Sequence, residues 1–151
     1  MRILGVDPGK ATGITVWDSE TQEILYFEID EWDPYTLVRA VERISQKCFI
    51  DHHVYEDFLP RWGQKFDITP IKLIGAMDAM DTMRFDWHKV KPSEHKSLVK
   101  DVVLNKLIHD QGHLVGEGHS RDALRLTVYY SAAKLREQAT LKLIKGGSHG
   151  E

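Results

Sequence analysis

The chain has 151 residues, 42% hydrophobic and 28% charged, with a net charge of −3, the balance of an ordinary globular domain with a core of its own. No apolar stretch approaches the roughly 20 residues that span a bilayer, and the N-terminus enters a strand with no signal-peptide pattern. A lone cysteine, Cys48, excludes disulfides within the chain and leads us to expect a reducing, cytoplasmic setting.

In chain order, residues 2–7, 13–17 and 24–29 read as three strands joined by tight turns. The first is the apolar run Ile3–Val6, closed by Asp7-Pro8-Gly9. Pro8 lacks an N–H and Gly9 tolerates positive φ, so the strand stops there. Asp33-Pro34 starts a helix, with Asp as cap and Pro at the first position. Leu37, Val41, Ile44 and Cys48 then fall on one buried face. Val54–Phe58 is a fourth strand, and within it Glu56 and Asp57 point to opposite faces of a sheet. Residues 59–68 form a loop mixing basic and aromatic groups: Arg61, Trp62, Lys65 and Phe66. Thr69-Pro70 opens a second helix with Leu73, Met77 and Met80 on one face, and this helix, with its methionines expected to be exposed, is a candidate self-association surface. Phe85–Val90 is a fifth strand. Ser93 caps a third helix that runs to Gln111 and stops at Gly112. After a Gly-rich connector over 113–118, a last helix runs from about Ser120 to about Lys142. Residues 1–145 read as one domain and 146–151 as a disordered tail.

The order β-β-β-α-β-α-β-α-α predicts an α/β fold: a five-stranded mixed β-sheet flanked by helices on both faces. A crossover returns the fourth strand parallel to the first. If the two are neighbours, Asp7 and Glu56 lie side by side at the C-terminal strand ends, where α/β sheets place ligands. His119 and Asp122 stand one helical turn apart at the head of the last helix, whose dipole favours anions. Asp7, Glu56, His119 and Asp122 together would make a hard, oxygen-rich site suited to Mg²⁺ or Mn²⁺. Two such ions about 4 Å apart activate a water and stabilise the leaving oxygen of a phosphodiester. Plainer readings stand beside this one. Asp-Pro-Gly is also hairpin chemistry, Asp122 is also a helix-start carboxylate, and His119 is also a capping residue. His109, His113 and His119 have spacing for zinc, but with no cysteine nearby they read as surface histidines. Residues 1–59 hold 5 Lys/Arg against 12 Asp/Glu, and residues 60–151 hold 15 against 11. An acidic segment followed by a basic one suits a metal-dependent enzyme acting on a polyanion, or is simply uneven surface charge.

Four pieces in order resemble the RuvC-type Holliday-junction resolvases of the ribonuclease H-like superfamily, in particular compact phage-encoded versions. They are Asp7-Pro8-Gly9 with Thr12-Gly13, Glu56 at the end of the fourth strand, Pro92-x-x-x-Lys96, and His119-x-x-Asp122-Ala123 leading into Tyr129-Tyr130. The resemblance implies a ribonuclease H-like fold. It implies Asp7, Glu56 and Asp122 as metal ligands with His119 in the fourth position, and two Mg²⁺ ions per site, replaceable by Mn²⁺. It also implies a homodimer that nicks opposing strands of a four-way junction and leaves 5′-phosphates. Lys96 is the phosphate-contacting candidate, and Lys91, Arg61, Lys65 and Trp62 complete the expected DNA-binding set. Phe58, Trp62 and Phe66 are candidates for the family's junction-probing aromatic. Two other classes compete. An actin-like or sugar-kinase ATPase also opens with Asp-x-Gly, but it needs two such domains and a second phosphate loop. A non-catalytic branched-DNA-binding module would not need the intact carboxylate set.

Overall fold

Five strands form one sheet in the order β3-β2-β1-β4-β5 in a computed structural model that describes residues 1–58, 67–81, 85–113 and 118–146. β1 (Arg2–Asp7), β2 (Thr12–Asp18) and β3 (Glu23–Asp30) are antiparallel neighbours. β4 (His52–Glu56) and β5 (Trp87–Val90) join β1 in parallel. The crossover from β3 to β4 is α1 (Pro34–Cys48), and α2 (Thr69–Asp81) lies between β4 and β5. Asp33 caps α1 as its type predicts, accepting from the N–H groups of Tyr35 at 2.9 Å and Thr36 at 3.1 Å. After β5 come α3 (Pro92–Leu98), α4 (Asp101–Asp110), α5 (His119–Tyr129) and α6 (Gln138–Gly146), with one π turn over Tyr130–Lys134.

Strand alternation splits the core into two layers. Leu4, Val6, Ile14, Val16 and Tyr55 pack against Leu37, Val41 and Ile44 of α1 and Leu73, Met77 and Met80 of α2. Ile3, Trp17, Val54 and Val90 pack against α4 and α5 through Val103, Leu104, Ile108, Leu124, Leu126 and Val128. Helices therefore cover both faces, as predicted. No helix among the described residues is long and apolar enough to cross a membrane.

Several boundaries differ from expectation. β4 begins and ends two residues earlier than Val54–Phe58, so Phe58 lies beyond it, and β5 begins at Trp87 rather than Phe85. The third helix is two helices. Val99 is fully buried and extended, at φ −102° and ψ 106°, and its burial turns the chain out of α3 before Asp101 opens α4. α3 begins at Pro92 rather than behind a Ser93 cap, with the Lys91 N–H donating to the Glu94 carboxylate at 2.9 Å. The last helix breaks at the π turn, and Arg136, at φ 56°, redirects the chain into α6. Met77 and Met80 are core residues, 0% and 8% exposed, which corrects the expectation that they are exposed. Cys48 is half-buried at the end of α1.

Candidate active site

The site begins at the turn after β1. Thr12 locks that turn from within: its hydroxyl donates to the Gly9 carbonyl at 2.8 Å and accepts from the Gly9 N–H at 3.2 Å. Asp7 is thereby held at the strand end, opposite Gly13 on β2. α5 crosses directly over this hairpin, and glycines make the approach possible. A Cβ at Gly5 would lie 2.6 Å from the Ala123 carbonyl oxygen, and one at Gly9 would lie 2.8 Å from His119 Cε1. At Gly13 a Cβ would collide with the backbone between His119 and Ser120. The Thr15 hydroxyl ties the same helix down by donating to the Ser120 carbonyl at 3.1 Å. The head of α5, with His119 and Asp122 on its first turn, is thus pressed onto the strand that carries Asp7.

The four expected groups meet here. His119 Nδ1 lies 2.7 Å from Asp7 Oδ2. Glu56 ends β4, beside β1, and its Oε2 lies 3.8 Å from Lys96 Nζ. The same ammonium lies 3.4 Å from Asp122 Oδ2, so Lys96 sits between two of the three carboxylates. Burial pushes the Asp7 carboxyl above its ordinary value; its hydrogen bond to His119 opposes this, and the charges of Glu56 and Asp122 add to it. The hydrogen bond to Asp7 raises His119 in turn, against the opposing effect of burial. The neighbouring carboxylates push both groups the same way, adding to burial at Asp7 and to the hydrogen bond at His119.

Two further residues were not singled out from the sequence. His95 is fully buried on α3 and places Nε2 2.7 Å from Glu56 Oε2. Arg125, 5% exposed, pairs with Asp122 one turn before it and with Asp101 at the head of α4. Only the Arg125 spacing, three residues after Asp122, was visible in the sequence. Among the described residues, the other predicted ones do not join this network. Lys91 is exposed at the head of α3. Asp57, just past the end of β4, has its N–H on the Val90 carbonyl at 2.9 Å. Arg61, Trp62, Lys65 and Phe66 lie outside the described residues. Among the described residues, no three His, Cys, Asp or Glu side chains already form a closed metal-binding cluster. The donor chemistry nevertheless fits a hard cation: three carboxylates and an imidazole converge, and an ammonium already occupies the space between Glu56 and Asp122.

No protein-family model matches the chain, and no curated protein matches it. Solved structures do. The structure of Thermus thermophilus RuvC is 15% identical, with a TM-score of 0.72 over 91% of this chain and 98% of that one. T. thermophilus RuvC in complex with a Holliday junction substrate is 13% identical, with a TM-score of 0.73 over 89% and 96%. The chain has the ribonuclease H-like fold of RuvC. The yeast mitochondrial Holliday junction resolvase Ydc2 is 16% identical, with a TM-score of 0.55 over 98% of this chain and 83% of that one. The resemblance first read from four short motifs therefore extends over almost the whole chain as a shared fold.

Proposed function

We propose that this protein is a divalent-metal-dependent endonuclease that resolves four-way DNA junctions by paired phosphodiester cleavage. One observation carries the reading: Asp7, Glu56, His119 and Asp122, drawn from three distant segments, meet at one end of a RuvC-like sheet. T. thermophilus RuvC, which shares this fold, has been seen bound to a Holliday junction, and that supports the choice of substrate.

Asp7, Glu56 and Asp122 would hold the metal, Mg²⁺ or Mn²⁺ and two ions per site. When bound, the ions would activate a water and stabilise the leaving oxygen. The rest of the work belongs to the chain. Asp7 is oriented by His119, whose Nδ1 is engaged on it, so Nε2 is the nitrogen turned to ligation. Arg125 fixes the Asp122 carboxylate from the side away from Lys96. Lys96, about half exposed, can swing from the carboxylates to a DNA phosphate as the backbone arrives. Lys91, Arg61, Lys65 and Trp62 are the proposed outer contacts. Two matched nicks require two such sites related by two-fold symmetry, hence a homodimer.

The test uses labelled four-way junction, flap and linear duplex DNA, each with Mg²⁺ and with EDTA. We expect paired nicks in the junction with Mg²⁺ or Mn²⁺, and binding with little cleavage in Ca²⁺, whose looser shell positions water poorly. Equal cutting in EDTA, or no preference for the junction over linear duplex, sinks the proposal.

A further inference from the structure

Behind the three carboxylates lies a group that no part of the proposed chemistry has used. α3 opens at Pro92, with Glu94 closing its first turn onto the Lys91 N–H, and position 95 is thereby turned inward. A histidine there is unexpected on packing grounds. His95 is 0% exposed, and Nδ1 has no hydrogen-bond partner among the described residues. Burying a polar ring with one nitrogen unsatisfied costs stability that an apolar side chain would not lose. The only polar contact described for the ring is Nε2 to Glu56 Oε2, at 2.7 Å. The proton belongs on Nε2, the nitrogen with an acceptor.

We propose that His95 is a positioning residue for Glu56, holding Oε2 so that the carboxylate offers a metal only Oε1. This inference rests on the reading of Glu56 as a metal ligand. The geometry supports it in two ways. Glu has one more rotatable bond than Asp, and its carboxylate, 14% exposed at a strand end, has room to turn. Asp7 and Asp122 each have their own tether, His119 and Arg125, and His95 is the corresponding tether for Glu56. Ligation through one oxygen suits the tight octahedral shell of Mg²⁺ or Mn²⁺, whereas Ca²⁺ accepts a carboxylate through both oxygens. His95 would therefore set metal choice as well as metal affinity.

The experiment measures Mn²⁺ binding to the free protein by calorimetry, alongside junction cleavage as a function of Mg²⁺ concentration. The proteins are wild type, His95→Leu, His95→Gln, His95→Asn and Glu56→Gln, each checked by thermal melting. His95→Leu should weaken Mn²⁺ binding by about tenfold and raise the half-saturating Mg²⁺ in parallel, with the rate at saturating Mg²⁺ within about threefold of wild type. His95→Gln, which keeps an N–H donor near the same reach, should restore wild-type binding, and His95→Asn, which falls short, should not. A purely structural role would lower the folded fraction without moving either metal dependence. Equal Mn²⁺ affinity in wild type and His95→Leu overturns the proposal. Should His95→Leu fail to fold, equal affinity in His95→Asn and His95→Gln overturns it instead. Wild-type affinity in Glu56→Gln removes Glu56 from the ligand set and overturns it as well. A protein that cuts no junction yet gives the expected order of Mn²⁺ affinities overturns the endonuclease reading and leaves the role of His95 intact.

Discussion

The two faces of the sheet are built to different ends. Along β1, Leu4 and Val6 turn to α1 and α2, where the buried layer is almost wholly apolar. Ile3, Gly5 and Asp7 turn to the other side, where α5 lies so close that Gly5 and Gly13 leave no room for a side chain. There the buried set includes Asp7, His95, Arg125, Thr127 and Ser131. The first face fills space and holds the sheet. The second gives up packing volume so that a helix carrying charge can reach a strand end. The same strand serves both because its side chains alternate, so a substitution's consequence follows from the parity of its position.

The sharpest test of that parity is the neighbouring pair Glu56 and Asp57. Glu56→Gln should reduce junction cleavage by about a hundredfold or more while junction binding persists, because one negative charge near phosphate is lost. Asp57→Asn should keep most of its activity. A dead Asp57→Asn beside an active Glu56→Gln would invert the assignment of faces. On the other face, Met77→Ala should lower the unfolding free energy by about 2–5 kcal/mol in denaturant titration, yet leave cleavage at low temperature within a few-fold of wild type. A large loss of rate in well-folded Met77→Ala would break the division of labour.

His53 sharpens it further. It is buried on the α1 side, 2.8 Å from the Ser45 hydroxyl, and burial pulls its pKa down from 6.5 to about 4. The unfolded chain binds this proton more readily, so stability falls as pH drops from about 6.5 and the loss levels off below about 4. The full loss is about 3 kcal/mol. Comparing wild type with His53→Gln by denaturant titration between pH 7 and pH 5 isolates this contribution from the carboxylates, and equal slopes would refute it. The smallest effect belongs to Lys91, exposed on the rim. Lys91→Ala should weaken junction binding by less than tenfold and reduce the log–log salt slope by about 1.

What the sequence disclosed follows the same division. Strand parity, the parallel β1–β4 pairing and the acidic set were legible because alternation, crossover rules and Asp-Pro-Gly act locally. His95 was not, because nothing near residue 95 signals a partner that lies 39 positions earlier in the chain. The close approach of α5 over Gly5 and Gly13 was not legible either, since only tertiary contact reveals the helix above them. Helix breaks at Val99 and in the π turn escaped notice for a related reason. Neither holds proline or glycine, and each arises from burying particular side chains rather than from a local stop signal. Met77 and Met80 show the converse: the spacing places them on one apolar face but does not say that the sheet and α1 bury that face.

The span between Asp7 and His119 has a consequence for the life of the chain. Their hydrogen bond closes a loop of 112 positions, among the longest-range contacts in the fold. Synthesis proceeds from the N-terminus, and N-terminal structure can form while later segments are still being made. A nascent chain that has emerged only to the end of β5 contains all five strands, Asp7 and Glu56, but lacks the helix that brings His119 and Asp122. Under the proposed function, a protein that cuts DNA therefore cannot do so while half-made: its activity waits for the helix that closes this contact.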